Sequence, residues 1–149
     1  MKVTVLDDWP VEAGMRTNRL LEYVGPYAQD MIRKDGFLWP CGVGISADGK
    51  LEPFAVAPDG FANVDEAFQF MVAQLIADRN HWAAVCCAVA VTLPDGSDAL
   101  NFIIEHASGH AAAALMRFRR TRLLRNVVFD QLSLTPVEPV VWAWDPDLE

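Results

Sequence analysis

The run WAAVCCAVAVTLPDGSDALNFIIEHASGHAAAALMRF, residues 82–118, decides the fold. It divides into three apolar segments, Trp82–Leu93, Ala99–His106 and His110–Phe118, separated by Pro94-Asp95-Gly96-Ser97 and Ala107-Ser108-Gly109. Short apolar segments joined by tight Gly-containing turns read as antiparallel strands in a meander. On the first segment Ala84, Cys86, Ala88 and Ala90 point one way and Val85, Cys87, Val89 and Val91 the other. Both sets are apolar, whereas a strand with one solvated face alternates with polar residues. The centre of this sheet is therefore expected to need cover on both faces.

Upstream, Asn63 is a good helix N-cap, and Asp65 and Glu66 stand in the first turn, where the helix dipole favours negative charge. Phe68, Met71, Val72, Leu75 and Ile76 follow at the spacing of one helix face. Before that helix, Phe37–Ser46 and Lys50–Ala57 flank Ala47-Asp48-Gly49, whose Asp-Gly supplies the backbone angles of a tight hairpin turn. Further back, Leu20, Leu21 and Val24, then Ala28, Met31 and Ile32, predict a helix broken at Gly25 and restarted at Pro26, since proline suits a first turn and disrupts later ones. Gly36 closes it as a C-terminal cap. Residues 1–16 carry only Val3 and Val5 before Asp7-Asp8-Trp9-Pro10, and read as an arm or edge strand.

Downstream, Val127–Leu132 predicts a further strand. Pro136 and Pro139 confine 135–149 to an edge segment and an acidic tail ending in Asp145, Asp147 and Glu149. The order helix, hairpin, helix, meander predicts an α+β fold: an antiparallel sheet of five or six strands with two helical elements on one face. Cover for the other face then falls to the two ends of the chain, with Trp142 and Trp144 sharing a side, or to a second copy of the protein.

A chain of 149 residues is one domain's worth. At 52% hydrophobic it is too apolar for intrinsic disorder and large enough to fold without disulfides. The net charge of −8 argues against nucleic acid and anionic membrane as partners, because phosphate binding draws on excess Lys and Arg. No apolar run reaches the ~20 residues of a membrane span, and Met1–Leu6 meets Asp7-Asp8 without a leader's apolar core. A cytoplasmic protein is expected. Cys41, Cys86 and Cys87, odd in number and set in apolar surroundings, read as reduced thiols, with Cys41 the least unfavourable nucleophile of the three.

Candidate chemistry gathers at Asp98, Glu105, His106 and His110. Across a hairpin closed by Ala107-Ser108-Gly109, His106 and His110 stand opposite each other, with Cβ atoms roughly 5 Å apart. Glu105 falls on the other face and a third ligand is missing, so no metal or other cofactor is assigned. Arg117, Arg119, Arg120, Arg122 and Arg125 concentrate positive charge, and arginine favours planar contact with carboxylate or phosphate. Gly42-Val43-Gly44 lacks the rest of a dinucleotide or Walker fingerprint and precedes a hairpin.

The motifs Leu38-Trp39-Pro40-Cys41-Gly42, Asp48-Gly49-Lys50-Leu51, Asp98-Ala99-Leu100 and Ile104-Glu105-His106-Ala107-Ser108-Gly109 together resemble a group of small bacterial α+β proteins of uncharacterised function. That group reads F-Y-P-F-G, D-G, D-A-I and L-E-H-x-x-G, with a later P-Y. The resemblance covers roughly residues 20–132. Cys41 stands where an aromatic is usual, and Arg117-Phe118 where Pro-Tyr is usual. The resemblance implies one α+β domain and carries no activity.

Two functional expectations follow. The first is a non-enzymatic module that forms a homodimer or binds a protein partner, with Trp142, Trp144, Arg117, Arg119 and Arg122 as candidate contact residues. The second is a small metal- or anion-dependent enzyme centred on Glu105, His106 and His110 and completed by Asp98 or an arginine.

Overall fold

The computed structural model describes residues 9–57, 59–121 and 126–143. It begins with one continuous helix, α1 (Val11–Asp35), which buries a stripe running through Ala13, Thr17, Leu20, Leu21, Val24, Ala28 and Ile32. The expected break at Gly25 does not occur. Pro26 lies on the exposed side, so the Glu22 carbonyl that loses its partner faces solvent, where water can replace the missing N–H. Buried Gly25 packs on the sheet side. Residues 11–16, expected in an arm or edge strand, form the first turns of this helix, while 1–8 lie outside the described residues. Gly36 ends α1 with φ of 71°, and its N–H donates to the Ile32 carbonyl.

The hairpin follows as β1 (Cys41–Ser46) and β2 (Leu51–Ala55), and then comes α2 (Val64–Ala77), capped by the Asn63 carboxamide accepting from the Glu66 N–H. A single 3-10 turn at Arg79–His81 leads into the meander β3 (Trp82–Thr92), β4 (Asp98–His106) and β5 (Ala111–Arg120). Two short strands, β6 (Val127–Phe129) and β7 (Ser133–Pro136), both pair with β5. The sheet therefore has seven strands in the order β2-β1-β3-β4-β5-β6, with β7 sharing the outer edge of β5, and every pairing is antiparallel.

The α+β class is as expected and the element order broadly so, with seven strands in place of five or six, but the helices take opposite faces. Strand β1 sits between β2 and β3, so the chain leaving β2 has to cross one face of the sheet to reach β3. Helix α1 packs on the face of Val43, Ala84, Cys86, Ala88, Leu100, Phe102 and Ile104. The crossover places α2 on the other face, where Met71 and Leu75 meet Val85 and Cys87. The alternating apolar pattern of β3 thus serves two helices rather than one.

Gly42 and Gly44 belong to this second layer. A Cβ on Gly44 would run into the Trp82 ring, and one on Gly42 into the Phe54 ring and the Cys86 carbonyl. The two glycines let these aromatic rings, 5.8 Å apart between centroids, lie close over β1.

Candidate functional site

The two sheet faces are finished differently. On the α1 face Leu100, Phe102, Ile104, Ala112 and Ala114 are each 0% exposed. On the other face α2 covers the β1–β3 side, and the register puts Val91, Asn101, Ile103, Ala113 and Leu115 on the uncovered side, all only half-buried. Exposed Ile76 of α2 and exposed Val140 continue this apolar surface.

Between α2 and the sheet lies a cavity of about 290 Å³. Phe68, Val72 and Ile76 line its helix side, Val85, Cys87 and Ile103 its floor, and Val140 and Val141 one end. The segment carrying these last two residues is tied to the sheet by Glu105. That buried carboxylate accepts backbone N–H bonds from Val140 at 2.8 Å and Val141 at 2.9 Å through Oε1, and from Val141 again at 3.1 Å through Oε2; the Trp142 N–H stands at 3.4 Å. Consecutive backbone N–H groups wrapped around a carboxylate satisfy a charge that would otherwise be costly to bury. Trp142 follows this turn and packs half-buried beside Met71, Leu75 and Val141.

Next to Glu105 on β4, His106 points to the α1 face. Its Nε2 lies 3.0 Å from Arg16 Nη1, while Arg16 Nη2 pairs with Glu12 at 2.7 Å. Guanidinium only donates, so Nε2 accepts and the neutral ring carries its proton on Nδ1. Nδ1 then donates to Ser108 Oγ at 2.8 Å, and the Ser108 hydroxyl donates to His110 Nδ1 at 2.7 Å. In this tautomer the Ser108 N–H, 3.1 Å from His106 Nδ1, finds no lone pair there. Trp9 stacks tilted on His110 with centroids 5.4 Å apart. Burial first, then the positive charge of Arg16, hold the His106 pKa below the ordinary histidine value, against an opposing pull from Glu12.

The predicted chemical cluster is thus divided. His106 and His110 meet at Ser108, Glu105 is committed on the opposite face to the 140–142 turn, and Asp98 lies at the far end of β4, roughly 25 Å along the strand. Among the described residues no three His, Cys, Asp or Glu side chains are placed to hold a metal. The described arginines of β5 divide between the two faces, Arg117 and Arg119 on that of Leu115 and Arg120 on the other. Arg117 stands 3.8 Å from Asp95, Arg119 is exposed on β5, and Arg120 reaches the Ile32 carbonyl on the α1 side. Arg122, Arg125 and Trp144 lie outside the described residues.

Burial pushes the Cys41 thiol up to about 11, and raises Cys86 and Cys87 further. None is poised as a nucleophile. The sequence reading missed the anchoring role of Glu105, although an acid within the apolar run of β4 was its visible signal.

No protein-family model, curated protein or solved structure matches the chain. Among the described residues no helix is long and apolar enough to cross a membrane.

Proposed function

We propose that the protein is a non-catalytic binding module that forms a homodimer through the uncovered half of its second sheet face. The observation that carries this reading is the contrast at the middle of β4 and β5: Leu100, Phe102, Ile104, Ala112 and Ala114 are fully buried toward α1, while Asn101, Ile103, Ala113 and Leu115 on the other face are only half-buried, between buried Ala99 at one end and buried Glu105 and Ala111 at the other. An apolar surface at the middle of a sheet is expensive to leave in water, at about 25 cal/mol per Å².

Charge favours a second copy as the occupant. Two chains of net charge −8 repel over most of their surfaces, so they meet most readily where no charge is displayed. The surface of Val91, Asn101, Ile103, Ala113 and Leu115 is itself uncharged, with Asp65 and Arg117 at its margins, and the Glu105 carboxylate beside it keeps its charge but is turned to the backbone N–H groups of Val140 and Val141. Asn101 offers both a donor and an acceptor, so two copies related by a two-fold axis can pair their carboxamides. A cytoplasmic setting is supported by three buried, unbridged cysteines. Membership of the bacterial group described above rests on its motifs.

Sedimentation velocity tests the proposal. The wild-type chain is expected to sediment as a dimer at micromolar concentration, and Leu115→Glu as a folded monomer. A monomeric wild type, or a Leu115→Glu variant that dimerises as before, would rule it out.

A further inference from the structure

The cavity beneath α2 lies beside the open face, and Ile76, Ile103 and Val140 border both. The concavity of about 290 Å³ between α2 and the sheet opens to solvent past Gln69, Ala73, Ile76 and Val140, and small-molecule sites are typically concave, mostly apolar clefts of this kind with few polar groups. Water gains little there, because a bound water needs two to four polar partners and the lining is almost wholly hydrocarbon.

Two ionisable groups touch the cavity, a negative carboxylate turned to its own backbone partners and a neutral thiol. The Glu105 carboxylate is occupied by the N–H groups of Val140 and Val141, and the Cys87 thiol is held protonated by burial and by the nearby Glu105 charge. No Lys, Arg or His lines the walls. The mouth is marked by the exposed lining residues Gln69, Ala73, Ile76 and Val140, of which Gln69 is polar.

We infer that this cavity binds one small uncharged molecule with a hydrocarbon body, its polar end facing water beside Gln69. Its volume of about 290 Å³ is roughly twice that of an engineered cavity that holds benzene, which corresponds to on the order of ten carbon atoms. A medium-length aliphatic alcohol satisfies these terms. The matching carboxylate does not, because the walls supply no cation and the protein is acidic overall.

The test uses the full chain and the neutral ten-carbon fluorophore 1-aminonaphthalene, displaced in turn by 1-decanol and by decanoate. Saturable binding of one fluorophore per chain is expected, with decanol competing about tenfold better than decanoate. Ala73→Trp, at an exposed lining position, is expected to weaken binding at least about tenfold while leaving the unfolding transition in place. Absence of saturable binding, equal competition by decanoate, or unchanged binding in Ala73→Trp each overturns the inference. The Leu115→Glu variant separates this site from the dimer surface. Binding intact in that variant places the fluorophore beneath α2, and binding lost there places it between two copies and overturns the site. A wild type that proves monomeric yet binds through Ala73 removes the dimer and keeps the site.

Discussion

Replacing Glu105 with glutamine removes a charge while keeping the shape, and the structure says what that costs. The carboxylate receives N–H bonds from Val140 and Val141, with Val141 shared between both oxygens. Hydrogen bonds to charged groups contribute about 1.5–3 kcal/mol each, against about 0.5–1.5 kcal/mol for neutral ones, so two bonds lose about 2 kcal/mol in Glu105→Gln. The amide NH2 of glutamine also confronts the Val141 N–H where Oε2 now accepts. Glu105→Ala goes further, leaving the N–H of Val141, a residue only 2% exposed, without an acceptor, for a total of about 3–5 kcal/mol. For a chain of this size each kcal/mol lowers Tm by about 2–4 °C, so the glutamine variant should melt about 4–8 °C below wild type. Thermal and urea unfolding measure the loss. Amide hydrogen exchange locates it, with protection falling first at Val140 and Val141. A glutamine variant within about 0.5 kcal/mol of wild type, with those amides still protected, would refute the anchoring role.

The His106 site predicts an acid-sensitive stability. Its folded pKa lies below the unfolded value near 6.5, so the unfolded chain binds the proton more readily. The stabilisation is complete above pH 6.5 and is lost as pH falls through that value toward the folded pKa. Urea midpoints should therefore drop between pH 7.5 and 5.5, and drop less in His106→Gln; equal slopes in the two proteins would contradict the assignment. Pro26→Ala restores an N–H to the middle of α1 at an exposed position, and it should raise stability by about 1–3 kcal/mol in the same assay. No gain would mean that the Glu22 carbonyl loses nothing in the wild type.

The parts of the fold that the sequence made legible are those with short-range signals. The turn at Asp48-Gly49, the Asn63 cap, the Gly36 cap and the three-strand meander each declare themselves within a few residues. What escaped the reading depends on distant partners. Whether Pro26 breaks a helix depends on whether the freed carbonyl faces solvent or core, and the placement of α2 follows from β1 lying between β2 and β3. Both-sided apolarity of β3 was visible, yet it could not say which element covered which side.

The site divides in the same way. Pairing of His106 with His110 across the Ala107-Ser108-Gly109 turn follows from local spacing, and the structure places Ser108 between them. The union of Glu105 with His106 could never follow from adjacency, because neighbouring residues on a strand point to opposite faces. Glu105 finds its partners 35 residues and more away, in a segment whose prolines mark only an irregular edge.

That the second sheet face receives a second copy is tested directly by native mass spectrometry of the untagged 149-residue chain. At low micromolar concentration the account predicts a dominant species of twice the 16.5 kDa chain mass, reverting to the single chain in Leu115→Glu. A wild-type spectrum holding only the single chain would contradict it.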